Sequence, residues 1–284
     1  MIYISLTTVP KRINLWDSFK ENLISLLNQK TDKDYKVLLN IPFRYKNNND
    51  EEYVISNDLI EFANQNPKLI LNRVEKDYGP VVKIIGALLY ISDPNDIMIV
   101  CDDDHVYHED MLEYHLKKMQ QYPNAMICFR GDNCIEKREW YDEQEGVTKY
   151  TLSPTHFFFP IKYDGQVVQP GHWHSVSYLR SYFGDDFMDE SFLSMATNDD
   201  VLAGYYFKLK ERHYICATWE NETDWRPVNW NGRGSHSFPI VRQLSFPDSG
   251  FNEFRKQCGH HMGAMDQVIY DEFTQNNDKI YIEK

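Results

Sequence analysis

The chain has 284 residues, 42% apolar and 14% aromatic, with a formal charge of −13. That length makes one large domain or one domain with an appendage, and the acidic balance excludes non-specific binding to nucleic acid or anionic membrane, both of which need a basic face. No apolar run approaches the roughly 18 residues of a membrane span.

Residues 2–6 read as a first strand that starts without the basic-then-apolar layout of a secretory signal. Pro10 stops it, and Leu15, Phe19, Leu23, Leu26 and Leu27 then recur at helical spacing. A second strand is expected over 36–41, stopped by Pro42, and a polar loop over 44–52. A helix is expected over 51–64, a short strand over 69–71, and a helix over 81–91 opened by Gly79-Pro80. Ile97-Met98-Ile99-Val100-Cys101 is too short for a helix core and suits a strand buried on both faces. A helix over 109–121 and a strand over 125–129 complete this half. Strands alternating with helices at this spacing predict β–α units and a mainly parallel sheet. After residue 128 the rhythm changes. Residues 130–150 are polar and read as irregular, 166–169 as a short strand, and 201–209 as a helix. Residues 219–237, rich in Trp, Asn and Gly, read as a loop, and 254–273 as partly helical. The five cysteines are an odd count without CxxC spacing and read as reduced thiols, not as a zinc cage or disulfide framework. These features predict a soluble cytoplasmic protein and leave peripheral membrane attachment open.

The central strand runs straight into Asp102-Asp103-Asp104. Ligands of open α/β sheets bind at the carboxyl ends of strands. Three adjacent carboxylates repel one another, so a site that gathers them suits a cation, and aspartate oxygens suit Mg²⁺ or Mn²⁺ with positions left for phosphate oxygens. The competing reading is an acidic turn that caps the next helix. In Asp77-Tyr78-Gly79-Pro80-Val81-Val82-Lys83, Gly79 permits a tight turn, the following helix start attracts anions, and Lys83 lies one turn in. It is either a phosphate partner or a solvated surface lysine. Thr7, Thr8 and Arg12 fall at the end of the first strand, on the same edge as Asp102, and suit a base, ribose or phosphate unless they form a plain turn. Asp199-Asp200 opens a helix. One carboxylate caps it while the other serves as a general base; we assign the base to Asp200 and the cap to Asp199. Trp173, Trp225 and Trp230 are platforms of the kind sugars stack on, or core residues; Trp173 and its neighbour His174 are the acceptor candidates. His105 and His108 are isolated. His260 and His261 are adjacent, so in a regular helix at most one of them faces a metal.

In order and spacing, Thr7-Thr8-Val9-Pro10-Lys11-Arg12, Asp77-Tyr78-Gly79-Pro80-Val81-Val82-Lys83, the DxD-like Asp102-Asp103-Asp104 and Asn198-Asp199-Asp200-Val201 resemble a GT-A nucleotide-sugar glycosyltransferase of family 2. The resemblance covers about residues 1–210. It implies a Rossmann-like, mainly parallel α/β sheet, with residues 1–125 binding the nucleotide-sugar and 126–284 forming a mixed acceptor half. Thr7, Thr8, Arg12, Asp77, Gly79, Lys83, Asp102 and Asp103 would contact the donor. Asp102 would face the ribose and Asp104 the metal, with His260 or His261 as a further ligand. Asp200 would match the catalytic base, and Asp199 stays a candidate because the chain has Asn-Asp-Asp where Glu-Asp is frequent. The implied activity is metal-dependent, inverting transfer from a nucleoside-diphosphate sugar, most simply a UDP-sugar, to a hydroxyl of a glycan or other acceptor. The alternatives are a nucleotidyl or phosphoryl transferase on the same metal-diphosphate site, and a non-catalytic carbohydrate-binding protein built on the tryptophans.

Overall fold

The computed structural model describes residues 1–45, 51–132, 135–142, 147–154, 157–158, 165–167, 169–193, 198–217 and 240–243. The readings made for 219–237 and 254–273, with Trp225, Trp230, His260 and His261, lie outside the described residues.

One eight-stranded sheet organises the rest. Its strands in chain order are β1 (Ile2–Thr7), β2 (Tyr35–Pro42), β3 (Leu69–Val74), β4 (Ile97–Val100), β5 (Met126–Cys128), β6 (Gly165–Val167), β7 (Val176–Leu179) and β8 (Tyr214–Cys216). In space they run β6-β8-β5-β7-β4-β1-β2-β3. β3, β2, β1 and β4 are parallel neighbours. β7 runs against both β4 and β5, and β6 against β8. The expected mixed α/β architecture with a mostly parallel sheet is therefore borne out.

Both faces of the sheet are covered, so its central strands are mostly apolar, with Ser5, Asn40 and Ser177 as buried polar exceptions. In β4, Met98 and Val100 enter one core while Ile99, and Cys101 just beyond, enter the other, the period-two alternation of a strand. Ile2, Ile4 and Leu6 of β1 pack with Phe19, Leu23 and Leu26 of helix α1 (Trp16–Leu27). Each fully buried side chain of this size contributes about 1.5–3 kcal/mol. The opposite face holds helix α3 (Val82–Tyr90) and an aromatic cluster of Tyr178, Phe183, Phe187, Tyr206 and Phe207. Helix α2 (Asn57–Gln65) connects β2 to β3 and sets Leu59 into the same core as α1, and after β4 comes helix α4 (Met111–Gln121). Helix α5 (Asp199–Leu209) precedes β8.

The helix expected over 51–64 begins only at Asn57. Ser56 Oγ accepts from Leu59 N at 3.3 Å and caps it, while Glu51–Glu52 pairs with Arg44–Tyr45. Val54 and Ile55, just before Ser56, are β-branched and disfavour a helix there. The stretch expected to be irregular contains an antiparallel hairpin, Ile135–Asp142 with Val147–Pro154. In its first strand the run Glu136-Lys137-Arg138-Glu139 carries no apolar period, so cross-strand pairing is invisible in the local pattern. Cys101, Cys128 and Cys216 are buried thiols. No helix among the described residues is long and apolar enough to cross a membrane.

Candidate active site

β1 and β4 are neighbours in parallel register, with Ser5 opposite Val100, so Thr7 and Thr8 leave the sheet beside residues 102–104. Pro10 then opens a single helical turn, Pro10–Ile13. This turn brings the Arg12 guanidinium onto Asp103, with Asp104 Oδ2 3.3 Å away. The three carboxylates coexist because each has a different partner. Asp102 pairs with Lys83 of α3, Asp103 with Arg12, and Asp104 Oδ1 lies 2.6 Å from His105 Nδ1. The turn is pinned from beneath by Asn22, whose Nδ2 donates to Asp102 O at 3.0 Å and His105 O at 2.7 Å. Asp102 N donates to Tyr107 Oη at 2.9 Å.

Burial raises the Asp103 pKa to about 6 even with Arg12 opposing it. Burial acts the same way on Asp104, but His105 and Arg12 outweigh it and hold that carboxyl at about 2. Asp102 is raised by burial, which Lys83 only partly offsets. Several buried oxygens here, among them Thr8 Oγ1, Tyr53 Oη, Asp103 Oδ2 and Asp104 Oδ1, have no aligned hydrogen-bond partner among the described residues. Thr8 still lies close enough to help hold Asp103 down, and Tyr53 feels both Asp103 and Asp77. A buried polar atom left unpaired costs about 1–3 kcal/mol, so this group marks a place where a polar ligand fits. Thr7 is occupied within the fold, its Oγ1 donating to Asn40 O at 2.8 Å. Gly79 has φ +74° and donates its N–H to Asp77 Oδ1 at 2.7 Å, a backbone state that suits glycine.

Lys83 is not a solvated surface lysine. It is 2% exposed, and its Nζ lies between Asp102 and Asp199 Oδ2, the latter at 2.7 Å. Burial alone would lower its pKa, but the two carboxylates reverse the sign and keep it charged. Gly86, one turn further on, lets α3 sit this close to the sheet. A Cβ there would come within 2.2 Å of Asn40 Oδ1.

The second carboxylate pair reaches the same edge because β7 is antiparallel. A strand that runs against β4 begins where β4 ends, with Val176 opposite Val100. The turn before it, His172–His174, therefore lies beside residues 101–102. α5 opens against this turn. The expected capping role of Asp199 is corrected: Asn198 Oδ1 accepts from Asp200 N at 2.8 Å and Val201 N at 3.2 Å. Asn is among the best N-caps, and its position frees both aspartates. Asp199 is buried and faces Lys83 and His172 Nδ1, the latter at 2.8 Å. Asp200 is half-buried; its Oδ1 accepts from His172 N at 2.8 Å and lies 2.6 Å from His172 Nδ1. The pKa of Asp199 is depressed: burial works against this, but Lys83 and His172 outweigh it. His172 is raised to about 9, since Asp199 and Asp200 more than offset its burial. His172 and Tyr53 are the two residues that sequence reasoning passed over. His172 stood in a segment of interest, but its partners are 27 and 28 residues away, beyond any local spacing.

Of the acceptor candidates, Trp173 is half-buried, with the Arg130 guanidinium 4.2 Å from its ring centroid and the His105 ring at 5.7 Å. His174 is buried, with its ring edge-on to Trp173 at 3.8 Å. His105 takes part in the site through Asp104, and His108 stays peripheral beside Asp110.

Five carboxylates (Asp102, Asp103, Asp104, Asp199, Asp200) thus share one edge with three cations (Arg12, Lys83, His172). The residual negative charge and the hard oxygens of Asp102 and Asp104 fit a divalent cation. His172, Asp199 and Asp200 also bring ligand atoms within 4.8 Å of one another, but Lys83 and the protonated ring already compensate that charge.

Residues 13–187, more than half of the chain, match the family model described as Glycosyl transferase family 2. The chain belongs to glycosyl transferase family 2. Its helix-flanked, mostly parallel sheet is the GT-A arrangement expected for that family. No curated protein matches it significantly. Among solved structures, the chain is similar to "Crystal structure of S. aureus TarS", at 14% identity over 45% of this chain and 21% of that one, with a TM-score of 0.34. It is also similar to "Crystal structure of S. aureus TarS 1-349", at 12% identity over 72% of this chain and 55% of that one, with a TM-score of 0.40. The family 2 chain thus spans about a fifth and about half the length of these two.

Proposed function

We propose that the protein is a metal-dependent, inverting glycosyltransferase that moves a sugar from a nucleoside-diphosphate sugar, most simply a UDP-sugar, to a hydroxyl of a glycan or similar acceptor. The observation that carries this reading is the convergence of residues 102–104 and 199–200 on one sheet edge, joined through Lys83. Residues 1–125 serve the donor and 126–284 the acceptor.

Thr8, Arg12, Tyr53, Asp77 and Asp103 receive the base and ribose, where unmade hydrogen bonds support a polar ligand. Asp104 and Asp102 would hold Mn²⁺ or Mg²⁺, which when bound supplies Lewis-acid stabilisation of the departing diphosphate. Lys83 opposes the burial of Asp102 and ties it to Asp199. Asp200 is the base. Its Oδ1 is held by His172, while Oδ2 makes no hydrogen bond among the described residues and has solvent access. It takes the acceptor proton as the hydroxyl oxygen attacks the anomeric carbon opposite the bond that breaks.

The test is product analysis with a panel of UDP-hexoses, Mn²⁺ and mixed glycan acceptors. Free UDP with sugar on the acceptor is the expected result. Pyrophosphate release would instead identify a nucleotidyl transferase. Metal-independent sugar binding that survives Asp102→Ala and Asp104→Ala, with no turnover, would identify a binding module.

A further inference from the structure

His172 touches the carboxylate pair through two of its atoms. Its backbone N and its ring Nδ1 both point at Asp200 Oδ1, at 2.8 and 2.6 Å, and the same Nδ1 is 2.8 Å from Asp199 Oδ2. Carboxylates accept only, so Nδ1 carries the proton of this contact. On the far side of the ring, Nε2 lies 2.7 Å from Tyr178 Oη, which is 3.3 Å from Tyr214 Oη. The ring is 1% exposed and cannot touch a substrate. It is held from behind by a fully buried tyrosine and from the front by two acidic groups that would otherwise repel.

Resting on the reading of Asp200 as the base, we propose that His172 is a positioning residue for sugar transfer: its Nδ1–H locks one oxygen of Asp200, so that the other is presented to the acceptor hydroxyl. An unheld carboxylate rotates about its last torsion and spreads its basic oxygens over several directions. A carboxylate with Oδ1 held by two donors has one direction left for Oδ2. Orientation of this kind acts on the reacting geometry and leaves donor binding alone.

The test uses two amides of similar polarity. In His172→Asn the amide nitrogen falls near the place of Nδ1; in His172→Gln it falls near the place of Nε2. Turnover is read as UDP release from whichever UDP-hexose of the panel turns over fastest, and donor binding as calorimetric affinity for UDP with Mn²⁺. Thermal melts confirm folding. The expected result is that His172→Asn stays within about fivefold of the parent while His172→Gln falls about 10–100-fold, the share of a general base's effect that depends on its alignment. UDP affinity changes less than about twofold in either. A role through Asp200 also makes the losses non-additive: in an Asp200→Asn background, His172→Gln costs less than about threefold further. Equal turnover in His172→Asn and His172→Gln, or a full additional loss in the Asp200→Asn background, would overturn the proposal. Failure of the underlying reading is distinct: there Asp200→Asn alone retains transfer.

Discussion

Asp199 and Asp200 are adjacent and chemically identical, yet their surroundings give them different work. Asp199 is buried between Lys83 and His172, and Asp200 keeps one oxygen toward solvent. Asp200→Asn should therefore leave UDP affinity intact and lower transfer by two or more decades, about the value of a general base. Asp199→Asn should lower stability as well as rate, because an amide leaves Lys83 and His172 undercompensated. Transfer retained in Asp200→Asn but lost in Asp199→Asn would exchange the roles. Lys83 gives a sharper case. Removing one member of a buried ion pair strands the other charge, at a cost of about 3–5 kcal/mol, so Lys83→Met should lower the denaturant midpoint in the absence of any ligand. A variant as stable as the parent but defective only toward UDP would make Lys83 a phosphate ligand that leaves its pair on binding. His115 offers a pH test. It is fully buried between Ser175 Oγ at 2.8 Å and Ser177 Oγ at 3.0 Å, and burial lowers its pKa to about 3. Its unfolded value is about 6.5, so the unfolded state binds the proton first, and stability falls as pH drops from 6.5 toward 3 by about 1.4 kcal/mol per pH unit. Between pH 7 and pH 5 the parent should lose about 2 kcal/mol more than His115→Gln, by urea titration; equal losses would show that this ring is not protected.

At the scale of elements, α3 matters because it carries Lys83 inward. Its approach is set by Gly86 against Asn40, whose side chain bridges β1 and β3: Nδ2 donates to Ser5 Oγ at 2.8 Å and Leu6 O at 2.9 Å, and Oδ1 accepts from Asn72 Nδ2 at 2.8 Å. Gly86→Ala puts a methyl into that side chain. Overpacking of this kind costs about 1–3 kcal/mol, and because α3 must shift, Mn²⁺-dependent UDP affinity should fall with stability. A melt and a UDP titration check both. Loss of stability without loss of affinity would mean that α3 position and donor site are uncoupled. The apolar alternation of β4 and the helical spacing of α1 are legible in the chain because each reports on its own period. The helix expected from residue 51 starts six residues later, since the decisive signal is one cap, Ser56, and not the periodic run. The pairing of 135–142 with 147–154 is not legible in the chain, because the run Glu136-Lys137-Arg138-Glu139 shows no period-two apolar alternation.

Across the whole molecule, the acidic edge should behave as one electrostatic unit. With five carboxylates set against three cations, Asp104→Ala removes both a hard oxygen donor and a unit of charge. The variant should fold normally and lose the Mn²⁺-dependent part of the thermal stabilisation by UDP; stabilisation by ligand follows its concentration over its dissociation constant, so a tenfold weaker complex lowers it by about 1.4 kcal/mol. Equal Mn²⁺-dependent shifts in parent and variant would take Asp104 out of the metal site.

The alternation of strands and helices, the buried strand before Asp102, and the nearness of Thr8 and Arg12 to residues 102–104 follow from the order of residues alone, because parallel β–α units return every strand end to one edge. Tertiary structure alone decided what happens across that edge. β7 enters antiparallel and carries His172 to the end of β4, Asn198 takes the cap and releases Asp199, and Lys83 turns inward to join two acidic motifs more than 90 positions apart. None of these follows from local spacing, since each is a choice among partners that only a closed sheet and its packed helices bring within reach.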